Sequence, residues 1–129
     1  KLLAGGLTLA PTFDHASSLG RNETDAKRGE RLATRDKGND VASYVRRATS
    51  GLYENKSSTR PMTTFDAYCQ AAAWYPNAAG YWRARLRALG PETLDAIVQA
   101  LPESVATETA KRFALQMMLE NRARLLEPE

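Results

Sequence analysis

One cysteine and one histidine are all that 129 residues hold of those two types. Cys69 on its own excludes an internal disulfide, and neither residue has companions at metal-ligand spacing. A single free thiol suits a reducing compartment, so a cytoplasmic location is expected. No apolar run approaches the roughly 20 residues that cross a bilayer, so no membrane partner is expected. Zinc-finger spacing, an aromatic-rich RNA-binding signature and a base-reading recognition helix are all missing. There is no internal repeat and no low-complexity tract.

What is present is ordinary globular composition: 43% hydrophobic and 26% charged residues, enough for one domain with a modest core. Lysine and arginine (18) outnumber aspartate and glutamate (15), giving a net charge of +3. The bases gather between Arg21 and Arg47, as Arg21, Lys27, Arg28, Arg31, Arg35, Lys37, Arg46 and Arg47. Glu23, Asp25, Glu30, Asp36 and Asp40 are interspersed among them, so the segment reads first as a solvated face. The functional alternative is a surface turned toward nucleotide phosphates, an acidic partner or nucleic acid.

The first 20 residues have a different grammar. Leu2-Leu3-Ala4 and Leu7-Thr8-Leu9 flank Gly5-Gly6, and paired glycines supply the positive φ angles of a tight turn, so a small β-hairpin is expected. Pro11 cannot donate to a ladder, and the chain should leave the sheet there. Asp14 then falls on a loop just past a strand end. Two roles stay open for it: a turn cap bonded to the backbone of Ala16 or Ser17, or a hard oxygen ligand for Mg²⁺. His15 reads as a loop histidine before it reads as a base or ligand, and the Ser17 and Ser18 hydroxyls can satisfy the turn.

The run LAPTFDHASSLG, the motif DVASYVRRA and the closing FALQMMLENRARLL together resemble the C-terminal part of the HipA-like serine/threonine kinases, the toxin-type kinases of bacterial toxin–antitoxin systems and their relatives. The resemblance spans nearly the whole chain, and LAPTFDHASSLG is its most specific block. It implies the C-lobe of a protein-kinase-like fold, Mg²⁺ and ATP as cofactors, a protein Ser or Thr as substrate, and an antitoxin or DNA-binding regulator as partner. It also implies that Asp14 holds Mg²⁺ against the nucleotide, in the place of the kinase D-F-G acid, with Phe13 before it and His15 after it. A Gly-rich phosphate loop, a strand lysine and a catalytic loop with its Asp and Asn are not in the chain. The expectation is therefore a part of a longer kinase, inactive by itself. A non-catalytic helical module binding an acidic protein or nucleic acid is the alternative.

The expected fold class is mainly α: a hairpin and Mg-binding-type loop over 1–20, then one helical unit of five to six helices over 21–129. Thr24 should cap a helix from Asp25 to about Arg35, and Asn39 one in which Val41, Tyr44, Val45 and Ala48 form an apolar stripe. Residues 50–62 read as a long loop. Thr63 with Asp66 resembles a capping box for a helix carrying Phe65, Tyr68, Cys69 and Ala72, which ends before Pro76. Cys69 is expected in the core. Asn77 should cap the next helix, Gly90 close it and Pro91 open its successor, with Leu94, Ile97, Val98 and Leu101 on one face and Pro102 at its end. The last helix should run from about Glu103 to Glu127 and organise the bundle. Trp74, Tyr75, Tyr81 and Trp82 cluster around Pro76, and packing at a helix corner is favoured for them over stacking on nucleobases.

Overall fold

The computed structural model describes residues 2–3, 6–7 and 18–127. Among these the chain is mainly helical, with six helices. Leu2–Leu3 (β1) lies antiparallel to Gly6–Leu7 (β2), with Leu2 opposite Leu7 and Leu3 opposite Gly6. Gly6 is thus a strand residue. Gly5, the strand exit at Pro11, Asp14, His15 and Ser17 lie outside the described residues.

Helix α1 (Asp25–Ala33) starts where the sequence places it, with the Thr24 hydroxyl accepting from the Lys27 N–H. It stops two residues short of Arg35. Helix α2 (Val41–Arg46) is capped by Asp40 and not by Asn39: the Asp40 carboxylate accepts from the Ser43 N–H at 2.8 Å. Asn39 instead receives the Arg31 guanidinium on its backbone and side-chain oxygens. Both residues suit an N-cap, and register selects Asp40 because Val41 must open the buried stripe.

Residues 50–62 do form a non-helical connection, but its base is laced. Thr49 bridges Thr63, Ser50 N–H donates to the Met62 carbonyl, and Met62 N–H donates to the Leu52 carbonyl. Helix α3 (Thr64–Trp74) then begins on Thr63, whose hydroxyl accepts from the Asp66 N–H and donates to the Asp66 carboxylate at 2.6 Å. Cys69 is half-buried and not a core residue.

Helix α4 (Pro76–Ala88) has Pro76 in its first turn and Tyr75 as a cap without a side-chain bond, so Asn77 lies inside the helix. Proline's fixed φ starts the helix by itself and leaves no place for an asparagine cap. Gly90, extended at φ −68°, is the N-cap of α5 (Pro91–Gln99) and not a left-handed terminator of α4. Helix α6 (Glu108–Leu126) starts later than Glu103, on a Thr107 hydroxyl that accepts from Ala110 N–H at 3.1 Å.

Helix α6 touches α1, α2, α4 and α5, which makes it the organiser of the bundle. The tight core is confined to one side of it: Val41, Val45, Phe113 and Met117, with Leu32 and Tyr44 packed against them. Phe113 is fully buried and receives Tyr44 edge-on, centroids 5.5 Å apart. On α5 only Val98 of the expected stripe is buried, while Ile97 and Leu101 are exposed. No helix of the described residues is long and apolar enough to cross a membrane.

Candidate functional site

The chain enters the described bundle through a two-residue reversal. Leu19 (φ 56°) and Gly20 (φ 71°) are both left-handed, a conformation that costs a leucine roughly 1–2 kcal/mol and a glycine very little. Gly20 is buried, and the reason is a close approach: a Cβ there would stand 2.5 Å from Phe113 Cε1. Arg28 fastens the turn by donating to the Gly20 carbonyl at 3.2 Å and the Arg21 carbonyl at 3.3 Å. The same guanidinium pairs with Asp25 one turn earlier on α1.

Beside this turn opens a groove of about 940 Å³, lined by Leu19, Arg31, Tyr44, Arg47, Phe65 and Tyr68 among others. Its arginines are engaged within the chain. Arg31 lies 4.7 Å above the Tyr44 ring, bonds Asn39 and faces Glu23 at 3.7 Å. Arg47 donates to the Gly38 carbonyl. Lys37 and Asp40 make a further pair at 3.7 Å. Four of the eight bases of the 21–47 segment, Arg28, Arg31, Lys37 and Arg47, are thus partnered by acids, carbonyls or side chains of that segment.

Asp25 sits at the start of α1, beside Arg28. The Thr107 hydroxyl first, then Arg28, hold its carboxyl below the usual value.

Asp14, the single residue assigned to metal and nucleotide, lies outside the described residues, four positions before Ser18 at the groove. Among the described residues no group of three or more His, Cys, Asp or Glu could hold a metal ion.

The aromatic cluster reverses its expected role. Trp74 (67%), Tyr75 (66%), Tyr81 (57%) and Trp82 (57%) are all exposed. Their neighbours explain it: Ala71, Ala72, Ala73, Ala78, Ala79 and Gly80 are too small to build a wall around indole rings. That run of small residues was the signal in the sequence, and only Ala79 of α4 is buried.

The described residues define a small helical bundle with an open groove at its entry turn. Compared with known proteins, the chain matches no family model, no curated protein and no solved structure.

Proposed function

We propose that the chain is the helical C-terminal part of a HipA-like kinase, which in intact form transfers the γ-phosphoryl group of ATP to a protein Ser or Thr. Asp14 is the Mg²⁺ ligand in this reading. The observation that carries it is convergence of the three sequence blocks behind the resemblance. LAPTFDHASSLG ends at Gly20, DVASYVRRA is Asp40 to Ala48 around α2, and FALQMMLENRARLL is the body of α6. They meet in one region: Gly20 lies against Phe113 and Met117, and those two share a buried cluster with Val41 and Val45, against which Tyr44 packs. Blocks that a family shares for a common active-site scaffold are expected to share a core.

The β1–β2 pairing ahead of Asp14 supports the hairpin-then-acid order of a kinase C-lobe. Exposed Ile97, Leu101 and Val105 suit a bundle covered further in a larger protein. In the reaction the substrate hydroxyl oxygen bonds to the γ-phosphorus as the bond to ADP breaks, and the hydroxyl proton passes to a catalytic-loop Asp outside this chain. Bound Mg²⁺ would offset charge on the phosphate oxygens. An antitoxin or DNA-binding regulator is the partner class that goes with this reading.

The test is phosphoryl transfer from labelled ATP by the intact protein and its Asp14→Asn variant. A carboxamide lacks the charge that Mg²⁺ demands, so transfer should fall by roughly a hundredfold or more with melting unchanged. The coding sequence upstream of Lys1 should also supply an Asp and an Asn at catalytic-loop spacing. Full turnover in the variant, or their absence upstream, would overturn the proposal.

A further inference from the structure

The exposed aromatics of α3 and α4 stand in an unusual electrostatic setting. Between Asp66 and Glu92 the chain contains no acidic residue and no lysine, while Arg83, Arg85 and Arg87 all fall within it. Every cation of this stretch is therefore a planar guanidinium, and every large exposed side chain from Trp74 to Trp82 is aromatic. Ala78, Tyr81, Trp82 and Arg85 follow one another at i, i+3, i+4 and i+7, which puts them on one side of α4. That side is the solvent side, since all four are exposed. The buried Ala79 and half-buried Arg83 and Leu86 mark the adjoining side, which is turned toward the bundle.

Within the stripe the rings are held in order. Tyr81 and Trp82 meet edge to face, centroids 5.4 Å apart at 81°, and the Arg85 guanidinium lies 5.9 Å from the Tyr81 ring. Arg83, Arg85 and Arg87 form no ion pair among the described residues. The C-terminal end of α4 is fixed by α6, because Arg122 donates to the Leu89 carbonyl at 2.8 Å and the Arg87 carbonyl at 3.2 Å. Helix α4 thus presents exposed rings with the Arg85 guanidinium on their side, and Arg87 exposed farther round the same helix end.

We infer that this face of α4, with Trp74 and Tyr75 at its head, binds single-stranded nucleic acid. The rings would stack on unpaired bases and the arginines would contact phosphates. Stacking is indifferent to sequence because each base has a π face, and a guanidinium matches phosphate oxygens in a bidentate fork. The charge of the stretch fits a polyanion. Trp, Tyr and Arg also anchor protein interfaces, so an acidic protein is the competing occupant, and the polyglutamate arm of the test below separates the two. Duplex DNA is the poorer fit, since its bases offer no free faces to an indole. This inference stands apart from the kinase reading and shares no residue with Asp14.

The chain's two tryptophans, Trp74 and Trp82, are both exposed near this corner, so tryptophan emission excited selectively over the tyrosines reports on it. Titration of the whole chain with a 20-nucleotide oligo-dT in low salt should quench that emission. Labelled oligo-dT should bind roughly tenfold more weakly to Trp82→Ala, and Trp82→Phe should restore most of the loss because a phenyl ring still stacks. Arg85→Ala with Arg87→Ala should flatten the dependence of log K on log salt by about 0.7 for each phosphate contact removed. Circular dichroism checks that each variant is folded, and Trp74→Ala provides a second test of stacking. Absence of quenching overturns the inference. So does equal binding of duplex DNA, which would mean a general attraction of charge, or equal binding of polyglutamate, which would mean an acidic protein partner.

Discussion

Replacing Gly20 by alanine perturbs the one place where the three blocks meet. Two independent penalties follow from the geometry. The residue sits at φ 71°, where an L side chain loses about 1 kcal/mol or a little more. The new methyl would also lie 2.5 Å from Phe113 Cε1 and 3.0 Å from Cδ1. Phe113 has 0% exposure and Tyr44 against its edge, so its ring has nowhere to withdraw. Overpacking of this sort costs about 1–3 kcal/mol, for a total of about 2–4 kcal/mol out of the 5–15 typical of a domain. For a chain of this length the melting temperature should fall by roughly 8–20 °C, and urea titration should show the same loss at an unchanged m-value. A double-mutant cycle separates the two penalties. Phe113→Ala alone should cost about 3–5 kcal/mol, yet in its background Gly20→Ala should cost only about 1 kcal/mol, because the ring that the methyl strikes is gone. If Gly20→Ala melts within about 3 °C of the parent, or costs the same with and without the phenyl ring, the close approach of turn and helix is wrong.

Two further predictions concern the caps. The Asp25 carboxyl is lowered from its ordinary value of 3.8 by the Thr107 hydroxyl and then by Arg28. A depressed folded value means that the folded chain binds fewer protons than the unfolded one, so the stabilisation is present above about pH 4 and lost as pH falls through the folded value. Asp25→Asn should accordingly make the melting temperature less steep in pH below about 4, and identical acid limbs in the two proteins would contradict the bond to Thr107. Thr63→Ala removes the hydroxyl that serves both the Asp66 N–H and the Asp66 carboxylate, and should destabilise the chain by about 1 kcal/mol in urea titration. No change there would show that the laced base of the 50–62 loop holds α3 without its cap.

Helices were legible in the sequence wherever a local cause determined them. Thr24 and Thr63 cap as their positions suggest, and the Val41, Tyr44, Val45 stripe packs as its period requires. Errors arose where two local signals competed. Asp40 displaced Asn39 one residue away, Pro76 made an asparagine cap unnecessary, and Gly90 served the helix after it because Pro91 already fixed that helix's first turn. The aromatic corner was misread for a different reason. Burial of an indole needs large partners on other elements, and hydrophobicity alone does not say whether they arrive. Here the neighbouring positions carry alanine and glycine, and the rings stay in water. Of the candidate site, the Gly20 seam was half visible as the end of a motif, but nothing local to LAPTFDHASSLG reveals that it closes on Phe113, ninety-odd positions later.

The seam and the aromatic face are built from different parts of α6. Phe113 and Met117 close the seam toward Gly20 and α2, whereas Arg122 secures the end of α4. No side chain belongs to both, and substitutions without shared partners generally add. The consequence is a separation of effects. Removal of an exposed indole such as Trp82 takes away little buried surface, so its effect on oligonucleotide binding should not travel with a change in melting. Gly20→Ala strains the core and should lower the melting temperature while leaving the affinity of the still-folded chain for oligo-dT intact. Loss of both properties in either variant would mean that the two surfaces are coupled through α6, and the helix would then be transmitting between them instead of merely holding them in place.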